Sequence, residues 1–380
     1  MTLPGVRRYG AQVFHVFRTL ATYAAGAADK VRRGSMRRLF WIGSPFFWQS
    51  LREAGWDEVA FCNFEEPRVL GWQDVVRQAG FVPDVVVVAD KSRPPFVLGV
   101  EDFPCFTVFY SVDSHIHGWQ PWYAQAFDAC LVSLRDHLPQ FAGDFLPPER
   151  IWWSPAFAWA EDRPDESAER CWDALFVGTV SDNTPLRAAF LRALGETVPG
   201  LHVTRGAYRR LYPQAQVVLN QCEHGDLNFR VFEALGCGSC LLTPRIGHGL
   251  TDLFVEDEEL VCYTPHDADD AAARLRELLA APEHMAELRR AGLAAVDARH
   301  RAIHRARAFS ERLRAFSAEE RRALVESRRR RAAVIRQQVL RLPCLLWAED
   351  LASSPDPAVR ALRAAYLAEA RTGYTGQSDV

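Results

Sequence analysis

An arginine and a glutamate three positions apart, Arg230 and Glu233, could together bind a nucleotide diphosphate. A helix that begins near Asn228 would present its free amides and the positive end of its dipole to an anion. Arg230 adds a fixed cation with a planar donor fork for a diphosphate, and Glu233 on the same helical face can accept both hydroxyl hydrogens of a ribose. The alternative is a surface Arg–Glu pair that contributes little to stability, and the spacing alone does not distinguish the two.

Two further loops carry residues that are suited to phosphate or sugar contacts. Gly178-Thr179 follows an apolar run, and Arg187 lies one turn into the next predicted helix. Gly249-Leu250 follows a later apolar run and offers backbone amides to a sugar or a phosphate. Neither loop has the G-x-G-x-x-G or the G-x-x-x-x-G-K-[ST] pattern, so each is weak evidence by itself. Together with the Asn228–Glu233 segment, they form the predicted site for a nucleotide diphosphate and a sugar.

Strands that alternate with helices must position these loops. The run Val85–Val88 is apolar on both faces, which is typical of a strand inside a parallel sheet that helices cover. The same pattern restarts at Ala174–Val177, after a proline-rich linker from about 147 to 170. The sequence therefore predicts an α/β protein with two Rossmann-like, doubly wound parallel-sheet domains that face a central cleft. Ligands of such sheets bind beyond the carboxyl ends of the strands.

The same pattern predicts four regions along the chain. Residues 1–35 form a helical N-terminal extension, 36–150 a first Rossmann-like domain, 151–316 a second Rossmann-like domain, and 317–380 helices that pack back on the first domain. The first extension packs on its domain or, alternatively, touches a membrane interface weakly. The arginine run Arg328–Arg331 is interpreted as a solvated helix face, with docking to an anionic partner or to the first domain as the alternative.

Composition narrows the class of protein. A formal net charge of -3 argues against recruitment to nucleic acid, and no apolar stretch is long enough to cross a bilayer. Nine cysteines without framework spacing favour buried free thiols in a reducing cytoplasm, and Cys237-Gly-Ser-Cys240 is interpreted as structural. A cytoplasmic protein with at most weak peripheral membrane contact is expected.

Several stretches of the chain occur together in one family. They are Asn228–Gly238, Leu241-Leu242-Thr243, Gly249-Leu250, Leu253-Phe254, Glu258–Tyr263, Phe176-Val177-Gly178 with Arg187, Tyr110–His115, Trp122-Tyr123 and Phe127-Asp128. In this combination they resemble the CgeB-like glycosyltransferases, of the spore maturation protein type, which are relatives of the group 1 family with the GT-B fold. The resemblance covers roughly residues 36–300, and Tyr110 stands where the family pattern has a tryptophan.

The resemblance implies that residues 36–150 form the acceptor domain and residues 151–316 the nucleotide-sugar donor domain, and it also implies roles for individual residues. Glu233 matches the second acid of the group 1 E-x₇-E motif, which binds the donor ribose, whereas the first acid would fall at Gly225. Glu223 or Asp226 could replace it. GT-B enzymes use helix N-termini and basic side chains rather than a metal to stabilise the leaving diphosphate, and no metal site is expected here. The letters Asp267-Ala-Asp269 are interpreted as a helix cap rather than as a metal-binding D-x-D motif.

The opposite side of the cleft would supply the acceptor site. Asp113, His115 and His117 follow a predicted strand, so we expect them to face the cleft, as acceptor-binding or structural groups or as the general base of an inverting reaction. The sequence thus predicts a metal-independent glycosyltransferase without a cofactor. Its donor would be a nucleotide-sugar, with UDP or GDP the favoured carrier, and its acceptor a bacterial surface glycan, a protein or a metabolite. One alternative is a catalytically degenerate GT-B protein that binds a carbohydrate or a partner. A dinucleotide-dependent oxidoreductase, the other alternative, would need a glycine fingerprint that the chain lacks.

Overall fold

Runs of β-branched and aromatic residues form two parallel sheets. The computed structural model describes residues 36–372. The strands are β1 Arg38–Gly43, β2 Glu58–Cys62, β3 Val85–Ala89, β4 Phe106–Ser111, β5 Ala129–Val132, β6 Ile151–Trp153, β7 Trp172–Val177, β8 Leu201–Thr204, β9 Ala215–Leu219, β10 Cys240–Pro244 and β11 Val261–Tyr263. The first sheet has the order β2-β1-β3-β4-β5-β6, and the second has the order β11-β10-β9-β7-β8.

Helices cover both sheets. They are α1 Trp72–Ala79, α2 Gln120–Ala124, α3 Pro185–Thr197, α4 Tyr208–Leu211, α5 Phe229–Gly236, α6 Leu250–Leu253, α7 Ala268–Ala280, α8 Pro282–Ala295, α9 Ala302–Ala315, α10 Ala318–Arg330, α11 Ala332–Ile335, α12 Arg341–Asp350 and α13 Pro357–Arg371. Every residue of β3 is buried, as expected for a strand with helices on both sides. The prediction of two Rossmann-like parallel-sheet domains is confirmed. Asp267 is the N-cap of α7, since its side chain accepts hydrogen bonds from the amides of Asp269 and Asp270.

The strand order of both sheets reverses at equivalent places. In the first sheet β1 lies between β2 and β3, and in the second sheet β7 lies between β8 and β9. The crossover from β1 to β2 therefore runs toward one edge of the first sheet, and the crossover from β2 to β3 returns past β1 toward the other edge. Strands β7, β8 and β9 repeat this pattern in the second sheet. Such topological switch points open a crevice at the carboxyl ends of the strands, and ligands of open α/β sheets bind there. Ligand sites are thus expected at the ends of β1 and β3 and at the ends of β7 and β9.

The domain boundaries differ from the predicted ones at 150 and 316. Strand β6 lies beyond residue 150 but pairs with β5, so the first sheet ends at Trp153. Helix α9 also belongs to the first domain, because Ala306, Phe309 and Leu313 are buried in the core beneath that domain's sheet. The chain therefore returns to the first domain near residue 301. Short β6 follows two prolines and lacks the long apolar run that marked the other strands.

The prediction that Arg328–Arg331 forms a solvated helix face is wrong for Arg328. This side chain is 2% exposed and forms an ion pair with Asp128, which is 1% exposed. It also donates to the carbonyl oxygen of Cys105 at 3.0 Å. Its neighbours Arg329 and Arg330 are exposed. One arginine of the run therefore docks the C-terminal helices on the first domain, which was the alternative interpretation.

Other sequence-based expectations concern the ends of the chain and the thiols. The predicted helical extension at residues 1–35 lies outside the described residues. Within residues 36–372, no helix is both long and apolar enough to cross a bilayer. All nine cysteines are free, and Cys237 and Cys240 are buried, which agrees with a structural role for the pair.

Candidate functional site: a pocket at the switch point of the second sheet

Arg230 connects the ends of the two strands that flank the switch point of the second sheet. Its Nε donates to the carbonyl oxygen of Val177, the last residue of β7, at 3.2 Å. Its Nη1 donates to Oδ1 of Asn220 at 2.7 Å and to the carbonyl oxygen of Gln221 at 3.3 Å, and both of these residues follow β9. Helix α5 begins at Phe229, as predicted, so that its first turn carries this guanidinium directly over the crevice.

A second arginine lies beside the first. Arg187, in the first turn of α3, donates from Nη1 to the carbonyl oxygen of Thr179 at 2.9 Å and from Nε to Oε1 of Gln221 at 3.0 Å. Burial and then the positive charge of Arg230 lower the pKa of Arg187. Within the described chain, neither guanidinium forms an ion pair with a carboxylate, since all these partners are neutral oxygens. Two adjacent cations without a carboxylate in direct contact favour an anion between them.

Gly178 leaves space beside this pair. A Cβ atom at this position would lie 2.8 Å from Nη2 of Arg230 and 2.9 Å from the ring of Phe176. The guanidinium of Arg230 also lies over the Phe176 ring, 4.7 Å from its centroid. A side chain at residue 178 would therefore displace the arginine or fill the space next to it. The backbone here can approach a bound phosphate closely, which is the role expected of this glycine.

Glu233 lies in the same pocket, one turn along α5 from Arg230. The pocket has a volume of about 260 Å³, and its walls are Val177, Gly178, Thr179, Arg205, Gly206, Tyr208, Tyr212, Arg230 and Glu233. Burial, followed by the negative charge of Asp162, raises the pKa of Glu233 to about 7. The structure thus brings together four of the residues predicted to bind the donor, with Arg187 next to them.

Three predicted donor residues do not line this pocket. Asn228 is the N-cap residue of α5, but its Nδ2 donates to Oδ1 of Asn220 at 3.3 Å and supports the partner of Arg230 instead. Leu250 is 1% exposed, and its amide donates to the carbonyl oxygen of Gly247. A Cβ atom at Gly249 would lie 2.5 Å from the ring of Trp153 in the first domain. The first domain covers this loop, so its amides are not open to the pocket.

The facing loop of the first domain carries the predicted acceptor-side residues. Nε2 of His115 lies 3.9 Å from Oδ1 of Asp226 in the second domain, and Nδ1 of His115 is buried without a hydrogen-bond partner. Burial and the negative charge of Asp90 raise the pKa of Asp113, whose amide donates to Oδ2 of Asp90 at 2.8 Å. The loop after β4 therefore faces the second domain, as the sequence predicts, and His115 meets it at Asp226.

The two candidates for the missing first acid have different surroundings. Glu223 is 6% exposed, and its carboxylate accepts hydrogen bonds from the amides of Leu186 and Arg187 at 3.0 and 2.9 Å. It therefore caps the N-terminus of α3. Asp226 follows Gly225, which has a φ of 75°, and this turn directs the next residue toward His115. Of the two acids, Asp226 is the one that faces the space between the domains.

Arg205, Tyr208 and Tyr212 line the pocket but were missed in the sequence. They follow β8, an edge strand whose residues are only partly buried, so that no continuous apolar run marked it. The signal that could have revealed them is the tyrosine pair at positions i and i+4, which places two aromatic rings on one side of a helical turn. Nη2 of Arg205 donates to Oγ1 of Thr179 at 3.0 Å and so borders the glycine loop.

Known proteins share this architecture. Residues 187–311 match the profile of a family described as glycosyl transferase-like. HepE from Anabaena, solved with UDP and glucose, superposes with a TM-score of 0.54 at 10% identity, over 74% of this chain and 100% of HepE. A glycosyltransferase from Rickettsia africae gives a TM-score of 0.51 at 6% identity, with coverage of 73% and 97%.

Sucrose-phosphate synthase from Thermosynechococcus elongatus gives 0.50 at 11% identity, over 73% of this chain and 99% of the synthase. No curated protein matches the sequence. The matched profile contains Arg187, Arg230 and Glu233 and thus most of the charged groups of the pocket. The chain accordingly has the GT-B fold, and its second domain is similar to the glycosyl transferase-like family.

Proposed function

We propose that this protein is a glycosyltransferase that binds a nucleotide-sugar at the switch point of the second sheet. The observation that carries the proposal is the pair Arg187 and Arg230, two adjacent guanidiniums without a carboxylate partner in the described chain, with Glu233 one helical turn away. A diphosphate matches the charge and the donor geometry of the pair, and a ribose matches the carboxylate. HepE, which has the same fold, was solved with UDP, and this supports UDP as the carrier.

The same charges supply the chemistry that we propose. When the bond between the sugar and the diphosphate breaks, negative charge grows on the leaving phosphate, and the two arginines are already in place to stabilise it. They act without a metal in this proposal. Asp226 and His115 lie where the two domains meet, so we assign the transferred sugar and the acceptor hydroxyl to that side of the cleft. Asp113, with its raised pKa, is the second acceptor-side group.

A thermal-shift screen tests the donor proposal. We expect UDP or GDP, with or without its sugar, to raise Tm by roughly 5 °C at about one hundred times its Kd, because a ligand that binds only the folded state stabilises it by mass action. The shift should persist in EDTA. A shift with NAD and none with any nucleoside diphosphate would favour the dinucleotide-dependent alternative and contradict the proposal.

The catalytically degenerate alternative rests on Gly225, which stands where the group 1 motif has its first acid. A degenerate protein would also bind the donor, so turnover of the nucleotide-sugar rather than donor binding distinguishes it from the proposed enzyme. Incubation with each stabilising nucleotide-sugar should release the free nucleotide, by hydrolysis or by transfer. Tight donor binding without any release, even when glycan, protein and small-molecule acceptors are added, would support the degenerate protein.

Replacing His115 by alanine should separate turnover from donor binding. We expect kcat to fall by roughly 100-fold, the usual range for loss of a positioned acid–base group, while the Kd for UDP changes less than about threefold. The reason is that His115 belongs to the first domain, whereas the residues that surround the pocket belong to the second. His284→Ala is the matched control, since the side chain of His284 is 43% exposed on α8 and lies outside the pocket wall. An unchanged kcat in H115A would remove His115 from the reaction.

A further inference from the structure

The two segments that join the domains run side by side. The first is the linker 154–163, and the second is the return near residue 301. The amide of Ala158 donates to the carbonyl oxygen of His300 at 2.9 Å, and the amide of Ala302 donates to the carbonyl oxygen of Ala158 at 3.0 Å. A change in the angle between the domains must therefore pass through both segments together.

The linker is fastened to the donor domain by one buried carboxylate. Asp162 is completely buried, and its Oδ2 accepts a hydrogen bond from the amide of Trp159 at 2.8 Å within the linker. Its Oδ1 accepts from the hydroxyl of Tyr208 at 2.9 Å and from Nε of Arg209 at 2.7 Å. Asp162 thus connects the interdomain linker with the tyrosine that forms a wall of the proposed donor pocket.

The C-terminal end of α5 contacts the same linker. Arg301, which is 5% exposed, donates from Nη1 to the carbonyl oxygens of Trp159 and Asp162 and from Nη2 to that of Gly236, the last residue of α5. A Cβ atom at Gly236 would lie 2.8 Å from the Cβ of Ala158, so α5 packs directly on the linker. The helix that carries Arg230 and Glu233 therefore ends against the connection between the domains.

We propose that Asp162 is a positioning residue that holds Tyr208 beside Glu233. It thereby links the interdomain linker to the residues that bind the donor ribose. This inference rests on the proposed function, because it takes the pocket to be the nucleotide site. The hydroxyl of Tyr208 is held by Asp162, so the tyrosine keeps its place in the pocket wall that it shares with Glu233. Without that anchor, the short helix α4 would leave the tyrosine free to turn toward solvent.

The charges around Glu233 determine its pKa, so the arrangement can be tested through the pH dependence of UDP binding. Burial and the negative charge of Asp162 raise the pKa of Glu233, whereas the positive charges of Arg230 and Arg209 lower it. The other titratable groups that face it are Tyr208, Tyr212 and Cys237. A ribose needs the carboxylate form as its hydrogen-bond acceptor, so UDP affinity should fall as the pH drops through about 7.

Two substitutions separate the charge of Asp162 from its hold on Tyr208. Asp162→Asn removes a negative charge, which lowers the pKa of Glu233, so the loss of affinity should shift to lower pH by about one unit. Tyr208→Phe removes the hydroxyl that donates to Asp162 and leaves the charge of Asp162 in place, so the midpoint should stay at the wild-type pH. At pH 8.5, Y208F should bind UDP several-fold more weakly than the wild type, because the ring is no longer held.

The experiment is calorimetric titration of the full-length protein with UDP between pH 5.5 and 9, with Arg210→Ala as the control on the exposed side of α4. A midpoint shifted to lower pH in D162N and weaker binding at pH 8.5 in Y208F, with R210A like the wild type in both respects, are the expected result. Wild-type midpoints and wild-type affinities in both variants, with only a lower Tm in D162N, would show that Asp162 merely stabilises the linker. If D162N does not fold, the affinity of Y208F at pH 8.5 decides. A wild-type protein that binds no UDP at any pH would instead overturn the proposed function.

Discussion

Replacing Arg230 by alanine is expected to weaken UDP binding by roughly 10- to 100-fold, the range for loss of a charged hydrogen bond. The substitution removes one of two adjacent guanidiniums, and no carboxylate in the described chain is left unpaired by the change. The fold should therefore tolerate it, and Tm without ligand should change little. Isothermal titration at low ionic strength measures the effect.

Two further variants serve as controls for R230A. Arg230→Lys keeps the charge but loses the planar fork that reaches both strand ends, so it should recover only part of the affinity. Arg192→Ala, on the exposed side of α3, removes an equal charge from the same domain without touching the pocket and should bind UDP like the wild type. A wild-type Kd in R230A would show that the diphosphate does not bind between the strand ends.

Replacing Arg328 by alanine should destabilise the protein by about 3–5 kcal/mol, the cost of leaving a buried charge without its partner. The substitution strands the carboxylate of Asp128, which is 1% exposed. It also strands the carbonyl oxygens of Glu101, Phe103 and Cys105, which accept from the same guanidinium. Urea denaturation followed by tryptophan fluorescence measures the loss, since many tryptophans lie in the first domain.

The neighbours of Arg328 provide a matched control. Arg329→Ala removes the same charge from the same helix at an exposed position and should change stability by less than about 0.5 kcal/mol. The double variant Arg328→Met/Asp128→Leu should recover only part of the loss, because it removes both charges but leaves the carbonyl oxygens that accepted from Arg328 without a donor. Equal stability of R328A and R329A would mean that the C-terminal helices are not anchored through this pair.

The core strands could be predicted because their burial on both faces leaves a mark in the sequence. In β3 this mark is four consecutive valines, and β7 and β10 carry similar runs. The strands that were missed, β6 and β8, are short strands at sheet edges, where the pairing partner rather than the sequence decides the structure. The repeated topology followed from the restart of the pattern after the linker and required no long-range information.

The candidate site could be predicted only where its residues share one local element. Arg230 and Glu233 are neighbours on a single helix, so their spacing indicated a common face. Tyr208, in the pocket wall, and Asp162, which holds it, come from other elements, 25 and 71 residues away from Glu233 in the numbering, and nothing local connects them. The burial of Arg328 was hidden for the same reason, since its partner Asp128 lies 200 residues away.

The central claim is that a nucleoside diphosphate binds where β7 and β9 end, and a crystal structure of the protein soaked with UDP tests it most directly. Density for the two phosphates between Arg187 and Arg230, with the ribose hydroxyls within hydrogen-bond distance of Glu233, is the predicted result. UDP bound elsewhere, with the pocket of Tyr208, Arg230 and Glu233 left empty, would contradict the account.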